Sequence, residues 1–233
     1  MIYLLATNNP GKAKEIRPMF EAAGLTLISL ADLGLKFEAR ETSQTFGGNA
    51  LQKAQETAFF LKSQASDGLG QNSTDDLAAK YRDFLSPFNV AVLADDSGLA
   101  IDALNGEPGV DSALFMGRDT PYPVKCQGII DKLAHVSEDK RTARFICSLV
   151  CLMPDMSLLT AGGTIKGSIA HTITGGGGFG YDPIFYYPPY SKTLAQLTKE
   201  EKNRISHRGH AIQKMIGLIL NANFGDKRLP REN

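Results

Sequence analysis

The stretch IYLLATNNPGKAKEIRPMFEAAGLTLIS, residues 2–29, decides the fold class. Residues 2–6 form a short apolar run rich in strand-forming residues, and Asn9 followed by Pro10 is a helix-start signal. Apolar residues at helical spacing come next, and residues 25–29 then resume an extended pattern. The order predicts a strand, a helix and a second strand, which is the β-α-β opening of an α/β protein.

Longer strands and two further helices are predicted in the second half. VAVLADDSGLAIDAL, residues 90–104, consists of two apolar strand-like runs that DDSG interrupts. Residues 142–153 and 158–170 flank the turn PDMS and are expected to pair as a hairpin. Two helix starts follow, a capping box that begins at Thr198 and a cap at Ser206 before an apolar stripe.

No internal repeat or strong composition boundary divides the chain, so residues 1–233 are expected to form one domain. Residues 50–62 have helical periodicity. The polar stretch 63–75, with a short helix near Leu77–Leu85, is interpreted as part of a surface insertion covering about 62–89. The expected fold class is α/β, with a mixed, elongated central sheet flanked by helices and two lobes that hold the active site in the cleft between them.

Composition narrows the class of protein. The 25 basic and 25 acidic residues cancel, so the chain has no overall field that would hold a nucleic acid or an anionic membrane. The longest apolar stretch, residues 145–153, is far shorter than the roughly 20 residues that cross a bilayer, and the first residues lack a signal-peptide pattern. Three cysteines without a CxxC pair indicate neither a disulfide framework nor a zinc site. We expect a cytoplasmic protein that binds no nucleic acid and no membrane.

TNNPGK, residues 7–12, is a candidate phosphate site. Backbone N–H groups and the dipole at a helix start favour an anion, and Lys12 adds a full positive charge. The segment is not a Walker loop. The alternative is that Asn9 only caps the helix and Lys12 is solvated.

Asp95 and Asp96 place two carboxylates beside a buried strand, where charge is costly unless it meets a metal, a donor or water. Side chains alternate along a strand, so one aspartate is expected to be a metal ligand or base and the other its support. Mg²⁺ prefers oxygen ligands, and one or two carboxylates plus substrate phosphates are enough to hold it. Glu41 is the candidate second carboxylate, or else an ordinary exposed acid of a loop.

GGGGFGYDPIF, residues 175–185, combines four consecutive glycines with Phe179, Tyr181 and Asp182. Such a loop lets backbone amides approach a ligand while an aromatic ring stacks on a planar base. The alternative is a flexible hairpin loop that Phe179 plugs.

KNRISHRG gathers Lys202, His207 and Arg208 around a predicted helix start. An ammonium, a switchable imidazole and a planar guanidinium in one place are suited to phosphate or base recognition. The alternative is that they are solvated residues at a helix boundary. Phosphate cations, metal carboxylates and an aromatic clamp together indicate a nucleotide site.

Five segments, in this order, resemble the signature segments of a known family: TNNPGKAKEI, ETSQTFGGNALQKA, ADDSGLAIDALNGEPGVDSA, GGFGYDPIF and EEKNRISHRG. They span nearly the whole chain and resemble those of the inosine triphosphate pyrophosphatases, also called non-canonical purine NTP pyrophosphatases. The resemblance implies hydrolysis of ITP, dITP or XTP between the α and β phosphates, giving the monophosphate and pyrophosphate and cleansing the nucleotide pool. It also implies Mg²⁺ as the cofactor, a small-molecule substrate and a homodimer.

The same resemblance implies roles for individual residues. The triphosphate would be bound by Thr7, Asn8, Asn9, Pro10, Gly11 and Lys12. The metal would be held by Glu41 and Asp96, with Asp96 also the acid–base residue that positions water, Lys12 absorbing charge on the leaving group and Ser97 contacting substrate. The base pocket would comprise Phe179, Gly180, Tyr181 and Asp182, with Lys202 reaching the nucleotide and His207 and Arg208 reading the purine edge.

Three features depart from the family pattern. Ser43 stands where the family has a glycine, Leu114 and Phe115 replace an arginine and an aromatic residue, and the stretch from about 62 to 89 is longer than is typical. Three other functions stay open at this point: a pyrophosphatase of modified pyrimidine triphosphates, a regulatory protein that binds nucleotide without turnover, and a phosphatase that releases orthophosphate.

Overall fold

The computed structural model describes residues 1–66 and 89–225. The expected short helix near Leu77–Leu85, and most of the expected insertion, lie outside the described residues. The helices and strands of the described part, in chain order, are β1 Ile2–Leu5, α1 Pro10–Ala22, β2 Thr26–Ser29, α2 Phe46–Ser66, β3 Val90–Ile101, α3 Tyr122–Lys132, β4 Thr142–Leu152, β5 Leu158–Ile169, β6 Phe185–Tyr187, β7 Lys192–Thr193, α4 Lys199–Ile205 and α5 His207–Gly225. None of the described helices is long and apolar enough to cross a membrane.

A single mixed sheet runs through the described part of the molecule, in the strand order β2-β1-β3-β4-β5-β6-β7. β1 pairs in parallel with β2 and β3, and each later pair is antiparallel. The predicted β-α-β opening and the hairpin of β4 and β5 are confirmed, as is the mixed α/β class. The division into two lobes and the single-domain boundary remain predictions.

The predicted break at DDSG is wrong, because β3 runs without interruption from Val90 to Ile101. β4 pairs with it residue by residue through this stretch, including Asp96 with Ser148 and Gly98 with Ile146. The backbone hydrogen bonds of the polar residues are therefore satisfied within the ladder, and no turn is needed. The two aspartates lie in the middle of a buried strand, not at its end.

Helices cover both faces of this sheet. α1 and α5 pack on one face, where Ile16 and Ile212 meet the odd-numbered side chains Ala91 and Leu93 of β3. α2 packs on the other face, against the even-numbered side chains Val92 and Ala94. The parity of a residue on β3 thus decides which helices its side chain meets.

The predicted helix starts are confirmed by their caps. Asn9 accepts hydrogen bonds from the first turn of α1, with Pro10 at the first helical position. Thr198 and Glu201 form the capping box of α4. Ser206 Oγ accepts from Gly209 N at 3.0 Å at the start of α5. Sequence and structure agree here because capping depends on neighbouring residues alone.

Helix α3 was not predicted from the sequence. It follows Pro121 and buries Cys126 and Ile129. The fully buried Arg141 ties its end to the sheet, donating from Nη1 to Leu133 O at 2.7 Å, from Nε to the carbonyl of residue 169 at 2.9 Å and from Nη2 to that of residue 170 at 3.1 Å. The three carbonyls accept hydrogen bonds from the buried guanidinium. No carboxylate of the described residues forms an ion pair with it.

Candidate active site

One cavity collects nearly all the residues that the sequence singled out. Those lining it are Thr7, Asn8, Asn9, Lys12, Glu41, Asp96, Ser97, Phe179, Gly180, Tyr181, Asp182, Lys202, His207 and Arg208. Pro10 and Gly11 are not part of the lining. They serve the helix start instead, and a side chain at Gly11 would lie 2.9 Å from Cδ1 of Phe179. The phosphate-loop candidate and the glycine-rich loop therefore touch.

In the TNNPGK segment, Asn9 caps helix α1 and Lys12 carries a positive charge. Asn9 Oδ1 accepts from the backbone N–H of Gly11 at 2.9 Å and of Lys12 at 3.4 Å, so the side chain already partners two of the helix-start donors. Thr7 Oγ1 accepts from Asn9 N at 3.1 Å, and Asn8 donates to Phe37 O at 2.9 Å. Lys12 is not solvated as the alternative reading expected, because its Nζ lies 2.9 Å from Asp95 Oδ1.

The two neighbouring aspartates face opposite sides of the sheet, as strand alternation predicted. Asp95 is buried among α1 and α5, where Lys12 and Arg208 contact it. Burial raises the pKa of Asp95, but the charges of Lys12 and Arg208 outweigh burial and hold that pKa well below its usual range. Asp96 lines the cavity on the α2 side, where Asn49 Nδ2 donates to its Oδ2 at 3.2 Å. Burial raises the pKa of Asp96, against the opposing charges of Lys53 and Lys12.

Lys53 joins the two candidate metal ligands and was missed by the sequence reasoning. Its Nζ lies 3.1 Å from Glu41 Oε1, 3.2 Å from Asp96 Oδ1 and 3.1 Å from the backbone oxygen of Asp95. Burial lowers the pKa of Lys53, but the surrounding carboxylates outweigh it and raise that pKa overall. The signal was available, since Asn49 and Lys53 are polar residues on the face of α2 that Ala50 and Ala54 bury.

The carboxylates of Glu41 and Asp96 are the cavity's candidate metal ligands. Both converge on one ammonium group, so the local structure already tolerates a positive charge between them. Within residues 1–66 and 89–225, no group of three or more His, Cys, Asp or Glu side chains is arranged for a metal ion. The donor set therefore fits a hard cation that takes its remaining ligands from water and substrate, as Mg²⁺ does.

The glycine-rich loop is held in place by hydrogen bonds. Asp182 Oδ2 accepts from Phe179 N at 2.7 Å, and Tyr181 donates from its hydroxyl to Ser112 O at 2.8 Å. Gly178 has a φ of 69°, and a side chain there would lie 2.1 Å from Asp182 Oδ2. The contacts favour a fixed ring over the flexible plug that the sequence left open.

Two cations flank the Phe179 ring. Lys202 Nζ lies 5.0 Å from the ring centroid and the Arg208 guanidinium carbon 5.3 Å from it. Both cations are buried, as is His207, so the reading of these three as solvated residues is wrong. His207 stacks on Phe145 with centroids 4.7 Å apart. Burial, followed by the charge of Arg208, places the pKa of His207 well below its usual value, so its imidazole is neutral at pH 7.

Charges in the cavity wall are balanced before any ligand arrives. The wall contains four cations and four carboxylates: Lys12, Lys53, Lys202 and Arg208, and Glu38, Glu41, Asp96 and Asp182. Two more carboxylates, Glu15 and Asp95, lie behind this wall and contact three of the four cations. With the neutral His207, the described site carries more negative than positive charge.

The departures from the family pattern have different consequences. Leu114 is exposed and lies outside the cavity wall. Ser43 donates from its backbone N to Asn49 Oδ1 at 2.9 Å, and Asn49 in turn contacts Asp96. The changed loop therefore still supports the orientation of the candidate base.

Comparisons with known proteins find relatives over nearly the whole chain. A family model described as the Ham1 family matches residues 3–218. A dITP/XTP pyrophosphatase from Bacillus subtilis is 37% identical over 216 residues, which cover 93% of this chain and 96% of the relative. A dITP/XTP pyrophosphatase from an Exiguobacterium species is 40% identical over 220 residues, with 94% and 97% covered.

A solved structure of a Ham1 protein has the same fold. The Ham1 protein of Staphylococcus aureus superposes with a TM-score of 0.73 at 33% identity, covering 95% of this chain and all of that one. The family match and both sequence relatives each cover more than nine-tenths of this chain. The chain belongs to the Ham1 family.

Proposed function

We propose that this protein hydrolyses the non-canonical purine nucleoside triphosphates ITP, dITP and XTP to the monophosphate and pyrophosphate. The dITP/XTP pyrophosphatases that it resembles over nearly its whole length support this activity. The observation that carries the proposal is the convergence of Asp96, Glu41 and Lys53 in the same cavity as the aromatic and cationic groups around Phe179. The carboxylates that we assign to the reaction and the ring that we assign to the base thus line one cavity.

Asp96 is the residue we assign to the attacking water. It is the aspartate of the pair that lines the cavity, and its raised pKa favours proton acceptance. Lys12 and Lys53 absorb negative charge as the bond between the α and β phosphates breaks and pyrophosphate leaves. Ser97 lines the same wall, and we assign to it a contact with the substrate.

Magnesium is part of this proposal because of the charge balance in the cavity. A triphosphate brings several further negative charges to a wall whose own cations are already paired. Glu41 and Asp96 would hold the ion, and its chemistry when bound is to neutralise phosphate charge. We expect chelation to abolish turnover for this reason.

Base selection is assigned to the other end of the cavity. Phe179 stacks on the purine, and Arg208 and Lys202 offer N–H donors beside that ring. A 6-oxo group accepts from such donors, whereas the 6-amino group of adenine would bring a donor to a donor. Neutral His207 reads the same edge, and Tyr181 and Asp182 hold the loop. We further propose a cytoplasmic homodimer, as the family resemblance implies.

ITP turnover with Mg²⁺, with all products resolved, tests this function. We expect inosine monophosphate and pyrophosphate from the native chain. Asp96→Asn should lose about 10²- to 10⁴-fold in kcat, the usual contribution of a positioned general base. Asp32→Asn serves as the matched control, because Asp32 accepts from Ser29 N and Ser29 Oγ away from the cavity.

Other products would identify a different activity. Orthophosphate in place of pyrophosphate would refute the proposed cleavage site. Binding of ITP without turnover would make this a regulatory protein, and faster turnover of modified pyrimidine triphosphates would contradict the assigned base. Equal rates for the native and Asp96→Asn proteins would remove Asp96 from the mechanism.

A further inference from the structure

Asp95 has no direct access to the cavity, although it neighbours the candidate base. Its side chain is fully buried on the face of β3 that α1 and α5 cover, and it is absent from the cavity wall. It therefore acts on a ligand only through the residues it contacts.

Those contacts reach both ends of the cavity. Asp95 Oδ1 lies 2.9 Å from Lys12 Nζ, at the phosphate end. Asp95 Oδ2 lies 3.2 Å from Arg208 Nε, at the base end. Ser97 Oγ donates to Asp95 Oδ2 at 2.9 Å and accepts from Arg208 Nη2 at 3.2 Å, which closes a small ring of hydrogen bonds. One carboxylate thus orients a cation at each end.

The alternation of charges continues beyond Arg208. Arg208 Nη1 lies 2.6 Å from Glu15 Oε2, and Glu15 Oε1 lies 2.6 Å from Lys202 Nζ. Lys202 contacts Asp182, whose carboxylate accepts from Phe179 N. Among the side-chain ion pairs of the described residues, those of Asp95 alone link Lys12 to the network that positions the ring.

A shared carboxylate makes the two cations interdependent. When a phosphate engages Lys12, part of the attraction between Lys12 and Asp95 is transferred to the ligand. The carboxylate then interacts more strongly with Arg208, and in a buried environment this change is weakly screened. Arg208 is held more firmly beside Phe179, and a base there loses less freedom on binding.

We propose that Asp95 is a positioning residue that couples the phosphate end of the site to the base end, so that occupancy of one end strengthens binding at the other. The inference rests on the proposed function, since it assigns Lys12 to phosphate and Arg208 to the purine. Its consequence is that a nucleotide is recognised as a whole, with correct base contacts tightening the hold on phosphate.

Calorimetry with separate fragments of the substrate tests this coupling. The Kd of pyrophosphate is measured in Mg²⁺ buffer with and without saturating inosine, and the Kd of inosine with and without pyrophosphate. We expect each ligand to tighten the other by the same factor of about five, the lower end of ordinary coupling between sites. In Asp95→Asn, which keeps the side-chain shape but not the charge, the factor should fall to about one.

The coupling factor, not either affinity, is the decisive quantity. In Asp95→Asn, the loss of a negative charge strengthens pyrophosphate binding, whereas the loss of orientation of Lys12 and Arg208 weakens the binding of both fragments. The two effects oppose each other, so the separate affinities do not test the coupling. Asp32→Asn should keep the native factor. Ser97→Ala removes the hydroxyl that bridges Asp95 and Arg208 but leaves their direct contact at 3.2 Å, so its coupling factor should fall between the native value and one. If Asp95→Asn does not fold, a Ser97→Ala protein with the native factor would overturn the coupling role.

The outcomes separate this inference from the proposed function. A native protein that binds the two fragments independently, or an Asp95→Asn protein that keeps the native factor, would overturn the coupling role. ITP turnover in the same preparations is scored by itself. Pyrophosphate release without coupling would leave the proposed function standing, and absence of release would refute that function whatever the coupling factor.

Discussion

Replacing Gly163 of β5 with alanine should damage the site by displacing the start of α5. A Cβ at this position would lie 2.0 Å from His207 O and 2.8 Å from Ala211 N, both in the first turns of α5. Carbon–oxygen contacts normally stay beyond about 3.3 Å, so the helix start must retreat by roughly 1 Å. His207 and Arg208 would move with it. A misplacement of about 1 Å can cost roughly 100-fold in rate, and overpacking costs about 1–3 kcal/mol of stability.

The neighbouring glycine offers a matched control. At Gly162 the same Cβ would lie 3.6 Å from Cys147 O, an ordinary contact, so Gly162→Ala should stay within about twofold of the native protein. The measurement is kcat/KM for ITP, together with thermal unfolding to establish that each variant is folded. A folded Gly163→Ala protein with the kcat/KM of Gly162→Ala would show that the close approach of α5 to β5 does not position the base-reading residues.

Three further predictions concern single side chains. Phe179→Leu removes the stacking platform and should raise the KM for ITP about 5- to 150-fold, the value of one base stack, with unchanged unfolding; an unchanged KM would contradict stacking. Arg141→Met removes the donor of three carbonyls, of which that of Leu133 keeps a second donor in Val136 N, and should lower the free energy of urea unfolding by at least about 2 kcal/mol, whereas a loss below 1 kcal/mol would argue against that role. His207 has a folded pKa below its unfolded value of about 6.5, so the unfolded state takes up the proton first and stability falls as pH drops below about 6.5. Across pH 6.5 to 5, His207→Gln should lose less stability than the native protein, by up to about 1.4 kcal/mol per pH unit, and identical slopes would exclude this titration.

Local patterns were readable from the sequence because their causes are local. The cap at Asn9, the capping box at Thr198 and the hairpin of β4 and β5 each depend on a few neighbouring residues. The opposite orientation of Asp95 and Asp96 followed from alternation alone. Nearly all candidate residues also line one cavity. They could be chosen from the sequence because phosphate, metal and base binding each require particular residue types.

Long-range relations were not readable. The continuity of β3 depends on β4, which lies some 50 residues further along the chain and supplies the missing hydrogen-bond partners. Lys53 resembles an ordinary lysine of a helix until Glu41 and Asp96 are brought against it. Glu15 was missed for the same reason, since its partners Lys202 and Arg208 come 187 and 193 residues later.

Because β3 is uninterrupted, the odd or even position of each aspartate decides which face of the sheet its side chain lies on. The two side chains are chemically identical. Only their position along the strand places Asp95 in the buried network and Asp96 at the cavity. If β3 slipped by one residue against β1 and β4, Asp95 and Asp96 would each move to the other face of the sheet. The apolar side chains of β3 would change faces as well. A single residue added between Val90 and Asp95 would therefore turn Asp95 toward the cavity and Asp96 toward the buried network, without changing any amino acid of the site.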